Sequence, residues 1–365
     1  MKNLINKGIE KLIPYPPGKP IEELERELGI TGSIKLASNE NPLGPSPLAV
    51  RAILDNMKKV NRYPDGSGYY LKAKLSDVFG LPQSRIIIGN GSNELIELII
   101  RTFLNTGEEV IQACPTFLVY EKIVTGAGGE LVSVPLKNFR IDLEDIAASI
   151  TPKTKIIFIN NPNNPTGSAL SKKEMAAFLK IIPNDIIVVL DEAYIEFATD
   201  MDVANGLDFI MDYPILVVLR TFSKIYGLAG LRIGYGFSSD EAIDYMNRIR
   251  QPFNANSLAQ AAALAALDDT EFVSATLKLV KEGLSYLHEQ LDGFGLEYLP
   301  TQTNFFMIKM PSDANRIYEL MLREGVIVRS MDSYGLKDYI RVNVGLPKEN
   351  ERFISSLKKV LDTNR

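Results

Sequence analysis

The 365-residue chain contains one histidine and one cysteine, and each scarcity excludes something. His288 lies in a charged helical pattern (LVKEGLSYLHEQL), far from any glycine-rich loop, and reads as a solvated or half-buried helix residue. With that histidine set aside, mechanisms built on a histidine base or a histidine-ligated metal are closed. The chemistry must then come from Lys, Asp, Tyr, Arg or a bound cofactor. Cys114 alone cannot close an intramolecular disulfide, so the fold does not depend on an oxidising compartment. It reads as a small buried hydrophobe. No apolar run approaches the roughly 18 to 20 residues that span a bilayer. The opening (MKNLINKGIEKLIPYPPGKP) carries scattered charges where a signal peptide has an apolar stretch. A net charge of -5 gives no reason to expect nucleic acid or an acidic membrane as partner. The cytoplasm is the expected compartment.

What is present is ordinary for a soluble enzyme: 45% hydrophobic and 23% charged residues, in a length that suggests two domains. After a proline-rich opening, Ile21, Leu24 and Leu28 recur at helical spacing. Ser46 before Pro47 reads as an N-cap with proline at the first helical position, opening a helix over about 47–59. From residue 85, Ile- and Val-rich runs of strand length recur: RIIIG (85–89), EVIQA (109–113), KIIFIN (155–160), IIVVLD (186–191), ILVVL (215–219) and LRIGYGF (231–237). They are apolar throughout rather than alternating, as in strands covered on both faces. Helical patterns separate most of them, one opened by Ser171 with Glu174 at capping-box spacing. The fold class is therefore α/β with a mostly parallel central sheet. After about 250 come helices, a short strand pair around NFFMIKM and IRVNVG, and a last helix with Phe353, Leu357 and Leu361 on one face. This predicts a large α/β domain over 38–250, with 1–37 and 251–365 forming an N-terminal arm and a small α+β domain.

Ligands of open parallel sheets bind outside the carboxyl ends of the strands, and several of these runs end in polar clusters. RIIIG leads into Asn90-Gly91-Ser92-Asn93-Glu94 and then a helical stretch. Backbone N–H groups at a helix N-terminus there offer a phosphate site, although the same residues also make ordinary turns. It is not a dinucleotide fingerprint, because Glu94 stands where the third glycine is needed. EVIQA runs into Phe117, whose ring either stacks on a flat cofactor or joins the core. KIIFIN ends in Asn161-Pro162-Asn163-Asn164-Pro165-Thr166-Gly167, a rigid turn able to aim an amide side chain. IIVVLD ends in Asp191, followed by Tyr194. A buried carboxylate is costly without a positive partner, and a protonated pyridine nitrogen is such a partner. Tyr194 then falls within reach of the ring's phenolic oxygen. A metal is the competing partner for Asp191, but the segment lacks histidines or clustered carboxylates, so no metal is expected. ILVVL leads to Ser223-Lys224, with Arg232 further on. Lysine forms Schiff bases with carbonyl cofactors once its amine, ordinarily near pKa ~10.4, is depressed. Ser223 and Arg232 suit a neighbouring phosphate.

Together, Asn164-Pro165-Thr166-Gly167, Asp191 with Tyr194, and Ser223-Lys224 with Arg232 resemble the signature of fold-type I pyridoxal-phosphate aminotransferases. Pro14-Tyr15-Pro16-Pro17-Gly18-Lys19-Pro20, LASNENPLGPSP and Asn61-Arg62-Tyr63-Pro64-Asp65-Gly66 are similar to the histidinol-phosphate aminotransferase family, and the likeness runs from about Tyr15 to the last helix. The resemblance implies that Lys224 carries pyridoxal 5'-phosphate and shuttles a proton between the substrate Cα and the cofactor's C4′ carbon. It implies that Asp191 pairs with the pyridine nitrogen, that Asn164 and Tyr194 contact the ring oxygen, and that Phe117 stacks on the ring. Ser92, Asn93, Ser223 and Arg232, with Tyr63 of a partner subunit, would hold the cofactor phosphate. Arg341 would grip a substrate carboxylate, Arg329 would help bind a substrate phosphate, and Tyr15 would close over the substrate beside Asn164. The implied protein is a homodimer with shared sites, exchanging an amino group between L-glutamate and imidazole-acetol phosphate, the histidinol-phosphate step of histidine biosynthesis. Two positions depart from the family pattern: Asn93 stands where aspartate is frequent, and Phe117 where tyrosine is more frequent. Rival readings on the same scaffold are an aromatic amino acid aminotransferase and a threonine-phosphate decarboxylase. A ligand-sensing aminotransferase-like domain and a nicotinamide dehydrogenase are disfavoured by the complete set of acting residues and by the missing glycine fingerprint.

Overall fold

In the computed structural model, which describes residues 4–5, 8–14 and 18–363, a first short strand, β1 (Ile34–Lys35), precedes the main sheet. That sheet is built from β2 (Ile86–Gly89), β3 (Glu109–Cys114), β4 (Glu130–Pro135), β5 (Thr154–Asn160), β6 (Ile187–Asp191), β7 (Leu216–Thr221) and β8 (Gly234–Phe237). Their spatial order is β2-β8-β7-β6-β5-β3-β4, and β8 alone runs antiparallel to its neighbours. The parallel strands therefore end on one side. Alternate residues of each strand enter two different cores: Ile157, Val188 and Val218 on one face, Ile156, Val189 and Val217 on the other. This two-sided burial is why the strands read as unbroken apolar runs.

Beyond the sheet, β9 (Phe305–Lys309), β10 (Val326–Ile327), β11 (Arg329–Ser330) and β12 (Tyr339–Asn343) complete a second unit. Strands β11, β12 and β9 pair antiparallel in that order, while β1 pairs parallel with β10 and so joins the N-terminal segment to this unit. Its own core gathers Phe305, Phe306, Val342, Phe353 and Leu357. Each such side chain contributes about 1.5–3 kcal/mol on full burial. The closing helix Pro347–Thr363 supplies Phe353 and Leu357 from its apolar face. The helix Ser257–Ala266 belongs by packing to the first core, where it places Ala259, Ala262, Ala263 and Ala266.

Local signals set several helix starts. Ser46 caps Pro47–Asn56 by accepting the Ala49 N–H at 3.3 Å, and the Ser171–Glu174 capping box forms in full. The first of these helices is shorter than the sequence predicts. Its α-turns stop at Asn56, whose side chain takes the Ala52 carbonyl at 2.8 Å, and Met57–Lys59 is a 3-10 turn. The run LRIGYGF also yields less strand than expected. Ala229–Leu231 is a 3-10 turn and Arg232 has φ 55, so pairing begins only at Gly234. Strand β4 is absent from the sequence reading because it lies at the sheet edge. Of its six residues only Val134 is buried, so it lacks the apolar run. Cys114 corrects another expectation: it is exposed rather than buried, because it is the last residue of β3, where the strand gives way to the loop before Phe117. His288 is half-buried, its ring stacked on Tyr298 at 4.2 Å, and burial pulls its pKa down. Among the described residues, no helix is long and apolar enough to cross a membrane.

Candidate active site

The loops leaving the carboxyl ends of β2, β3, β5, β6 and β7 wall a cavity of about 380 Å³. Nine of the residues singled out in the sequence line it: Ser92, Asn93, Phe117, Asn164, Asp191, Tyr194, Ser223, Lys224 and Arg232.

Asp191, the last residue of β6, is 3% exposed. It accepts the Tyr120 hydroxyl on Oδ2 at 2.5 Å and the Ala193 N–H on Oδ1 at 3.2 Å. Burial pushes its pKa up to about 6, against the opposing pull of those two hydrogen bonds and with some help from Glu192. A cation set against Asp191 would restore the favourable interactions its carboxylate loses on leaving water.

An anion site lies elsewhere in the cavity. Gly91, with φ 78, opens the helix Ser92–Phe103, whose first N–H groups have no partner within the helix. Glu94 in that first turn is engaged by the Asn90 N–H at 2.5 Å and the Asn254 amide at 2.6 Å. Arg232 donates to the Ala229 carbonyl at 2.9 Å and reaches Ser223 Oγ at 3.5 Å. A Cβ on Gly91 would come within 2.6 Å of the Arg232 guanidinium, so glycine is what lets the cation lie against the helix N-terminus. Helix dipole, guanidinium and hydroxyl all favour an anion such as phosphate.

Lys224 Nζ donates to the Ser38 carbonyl at 3.1 Å and lies 5.6 Å from the Tyr194 ring centroid. The Tyr194 hydroxyl accepts from the Asn39 amide at 3.0 Å, and burial raises its pKa. In the turn after β5 the asparagines divide their work. Asn160 accepts the Asn164 N–H at 2.7 Å, Asn161 bridges the Leu170 N–H and the Ala204 carbonyl, and Asn163 takes the Thr116 hydroxyl. Those three hold the turn, while the Asn164 carbonyl oxygen accepts from Arg341.

Arg341 is buried, donates also to the Ala37 carbonyl at 2.8 Å, stands 4.9 Å over the Phe305 ring, and has a buried Nε without a partner. Arg329 is its direct opposite in the β11–β12 pair. Directly opposite residues point to one face of a sheet, where like charges repel. Two arginines paired this way, with Arg341 bonded to Asn164, suit an anionic substrate.

Neither Arg341 nor Arg329 lines the cavity itself: Arg341 meets it through Asn164, and Arg329 stands opposite Arg341 in the strand pair. Two further expected residues are not brought here. Tyr63 is 82% exposed, stacked on Phe253 at 4.7 Å, and is not among the residues lining this cavity. Tyr15 lies outside the described residues. The sequence reading also missed contributors: Tyr120 behind Asp191, Asn39 on Tyr194, and Asn160. Asn39 and Asn160 stood in segments already singled out, whereas nothing in the sequence linked Tyr120 to Asp191.

A reactive amine, a buried carboxylate, an aromatic wall and an anion cradle fit pyridoxal phosphate, and with this sheet they define the fold-type I pyridoxal-phosphate-dependent transferases. Residues 31–357 match the aminotransferases of class I and II, and the chain belongs to that family. It is 47% identical to histidinol-phosphate aminotransferase 2 of Carboxydothermus hydrogenoformans over 360 residues, covering 98% of this chain and 99% of the relative. To the histidinol-phosphate aminotransferase of Moorella thermoacetica it is 45% identical, covering 97% of this chain and 92% of the relative. A solved histidinol-phosphate aminotransferase from Sinorhizobium meliloti, in complex with pyridoxal-5'-phosphate, superposes with TM-score 0.92 at 29% identity, covering 99% of this chain and 98% of that one. The cofactor is pyridoxal 5'-phosphate and the enzyme is an aminotransferase.

Proposed function

We propose that the enzyme moves an amino group between L-histidinol phosphate and 2-oxoglutarate, giving imidazole-acetol phosphate and L-glutamate in histidine biosynthesis. The observation that carries this is the near-full-length identity of 45–47% to relatives bearing that activity in their names. The opposed pair Arg329 and Arg341 supports it, because the two substrates carry between them carboxylates and a phosphate.

When bound, the cofactor supplies an electron sink for the pair released at the substrate Cα. Lys224 would hold the cofactor through its amine, and that amine would carry the proton between the substrate Cα and the cofactor's C4′ carbon. Asp191 would keep the pyridine nitrogen protonated, Asn164 and Tyr194 would hydrogen-bond the ring oxygen, and Phe117 would cover the ring. Ser92, Asn93, Ser223 and Arg232 hold the cofactor phosphate; Arg341 binds the substrate carboxylate and Arg329 the substrate phosphate. Tyr15 closes over the substrate. A homodimer places Tyr63 of one subunit at the site of the other, which accounts for the exposure of Tyr63 and of Leu54, Met57 and Val60 on the same segment. The two cores support a large α/β domain over 38–250 and a small domain from 1–37 with 251–365, with the helix Ser257–Ala266 packing on the large side. The cytoplasm is the proposed compartment.

A single-turnover titration of the cofactor-loaded protein, followed by absorbance, tests the substrate. Histidinol phosphate, L-phenylalanine and O-phospho-L-threonine are added separately. Fast conversion to the amine form of the cofactor by histidinol phosphate alone is expected. Equal or faster conversion by phenylalanine would make the enzyme an aromatic aminotransferase. Carbon dioxide release from phosphothreonine without 2-oxoglutarate would make it a decarboxylase.

A further inference from the structure

Tyr120 has no role in the mechanism above, yet it is fully buried and touches two residues that have one. It lies on the short helix Val119–Gly126, and its hydroxyl donates to Asp191 Oδ2 at 2.5 Å. Its ring stacks on Phe158 of β5, with centroids 4.4 Å apart and planes 9° from parallel. On its other side it meets the Phe117 ring edge-on at 5.5 Å and 85°. Phe158 is 1% exposed, so the phenol is clamped against the sheet and cannot turn its hydroxyl elsewhere without repacking.

A carboxylate at the floor of a cavity must be both ionised and correctly turned to meet a pyridine nitrogen. The Ala193 N–H orients Oδ1, and the Tyr120 hydroxyl orients Oδ2. We infer that Tyr120 is a positioning residue for the cofactor: its hydroxyl fixes the Asp191 carboxylate while its ring backs Phe117. This rests on the reading that Asp191 meets the pyridine nitrogen. The groups facing Asp191 are Tyr120 from its helix, Glu192 and Tyr194 from the chain that follows β6, and Lys224 across the cavity. Of these, Tyr120 is the side chain that donates a hydrogen bond to it.

The test is cofactor affinity of the cofactor-free full-length protein as a function of pH, for wild type, Tyr120→Phe and Asp191→Asn. The cofactor's own titrations are common to all three and cancel in comparison. Tyr120→Phe keeps the ring and removes the donor, so Asp191 ionises at higher pH. The midpoint of the affinity profile should move up by about one unit, with binding about tenfold weaker below it and converging on wild type at high pH. A loss that is equal at every pH, or no loss, overturns the inference. Asp191→Asn should flatten the profile; if it binds like wild type, the reading of Asp191 itself fails, which is a separate outcome. Should Tyr120→Phe not fold, site-specific replacement of Tyr120 by a ring-fluorinated tyrosine, a stronger donor of similar size, should move the midpoint down. An unmoved midpoint there overturns the inference as well.

Discussion

Glu196 lies two residues past Tyr194, in the 3-10 turn Ile195–Phe197, and its Oε1 is buried without a hydrogen-bond partner. Burial pushes its pKa up to about 7, although Arg220 pulls the other way. Arg220 is already committed to Glu192, donating to one oxygen from Nε at 2.9 Å and Nη2 at 2.8 Å. Between the ordinary carboxyl range and about 7, the folded protein holds a proton on Glu196 that the unfolded chain has released. Stability from this group is thus present at low pH and lost as pH rises through about 7. Glu196→Gln cannot ionise, so relative to wild type it should gain stability between pH 5 and pH 8. Urea midpoints at the two pH values check this, and a constant difference would refute it. A second residue-scale expectation concerns Lys224. Lys224→Ala should remove the visible absorbance of covalently held cofactor while leaving the thermal transition of the cofactor-free protein within a few degrees. Much of this scale was legible in the sequence, because Asp191 ends β6, Lys224 stands three residues past β7, and Arg232 lies in the turn between β7 and β8. Tyr120 was not, because its partner Asp191 is 71 residues away and only sheet order brings the two together.

At the scale of elements, the anion cradle depends on how closely β8 approaches the helix Ser92–Phe103. A Cβ on Gly234 would stand 2.5 Å from the Ser92 nitrogen and 2.8 Å from the Gly91 carbonyl carbon, both backbone atoms that cannot swing aside. Gly234→Ala must therefore push the helix N-terminus away from Arg232. Cofactor binding should weaken at least tenfold, with a stability loss of about 1–3 kcal/mol typical of overpacking. Gly230→Ala is the matched control, since nothing lies within 4 Å of its added carbon. It should change cofactor affinity little, and equal losses in both variants would show that the close approach is not what matters. The same sheet explains which strands the sequence disclosed. Strands β3, β5, β6 and β7 are covered on both faces and declare themselves as apolar runs. Strand β4 pairs only with β3 and fully buries one of its six residues, so it carries no such signature. Strand β8 is cut short by the left-handed turn at Arg232, which serves the site rather than the sheet.

For the whole molecule, the proposed sharing of sites between two subunits makes a quantitative prediction. Tyr63 belongs to a segment whose apolar side chains face outward, with Leu54 63% and Val60 57% exposed, beside two further exposed rings, Tyr69 and Tyr70. A second copy covering this face would bring Tyr63 to the neighbour's anion cradle, which isologous symmetry repeats in both directions. Let Lys224→Ala and an inactive Tyr63 variant be unfolded together in equal amounts and refolded. If each site takes Lys224 from one chain and Tyr63 from the other, half of the dimers are mixed, and each mixed dimer has one intact site and one site with both defects. Activity should then return to about a quarter of wild type, although neither variant alone is active. If both residues act within one chain, every site keeps a defect and mixing restores nothing. A Tyr63 variant that keeps activity by itself would instead show that the exposed ring serves packing against Phe253 and not the partner's cofactor.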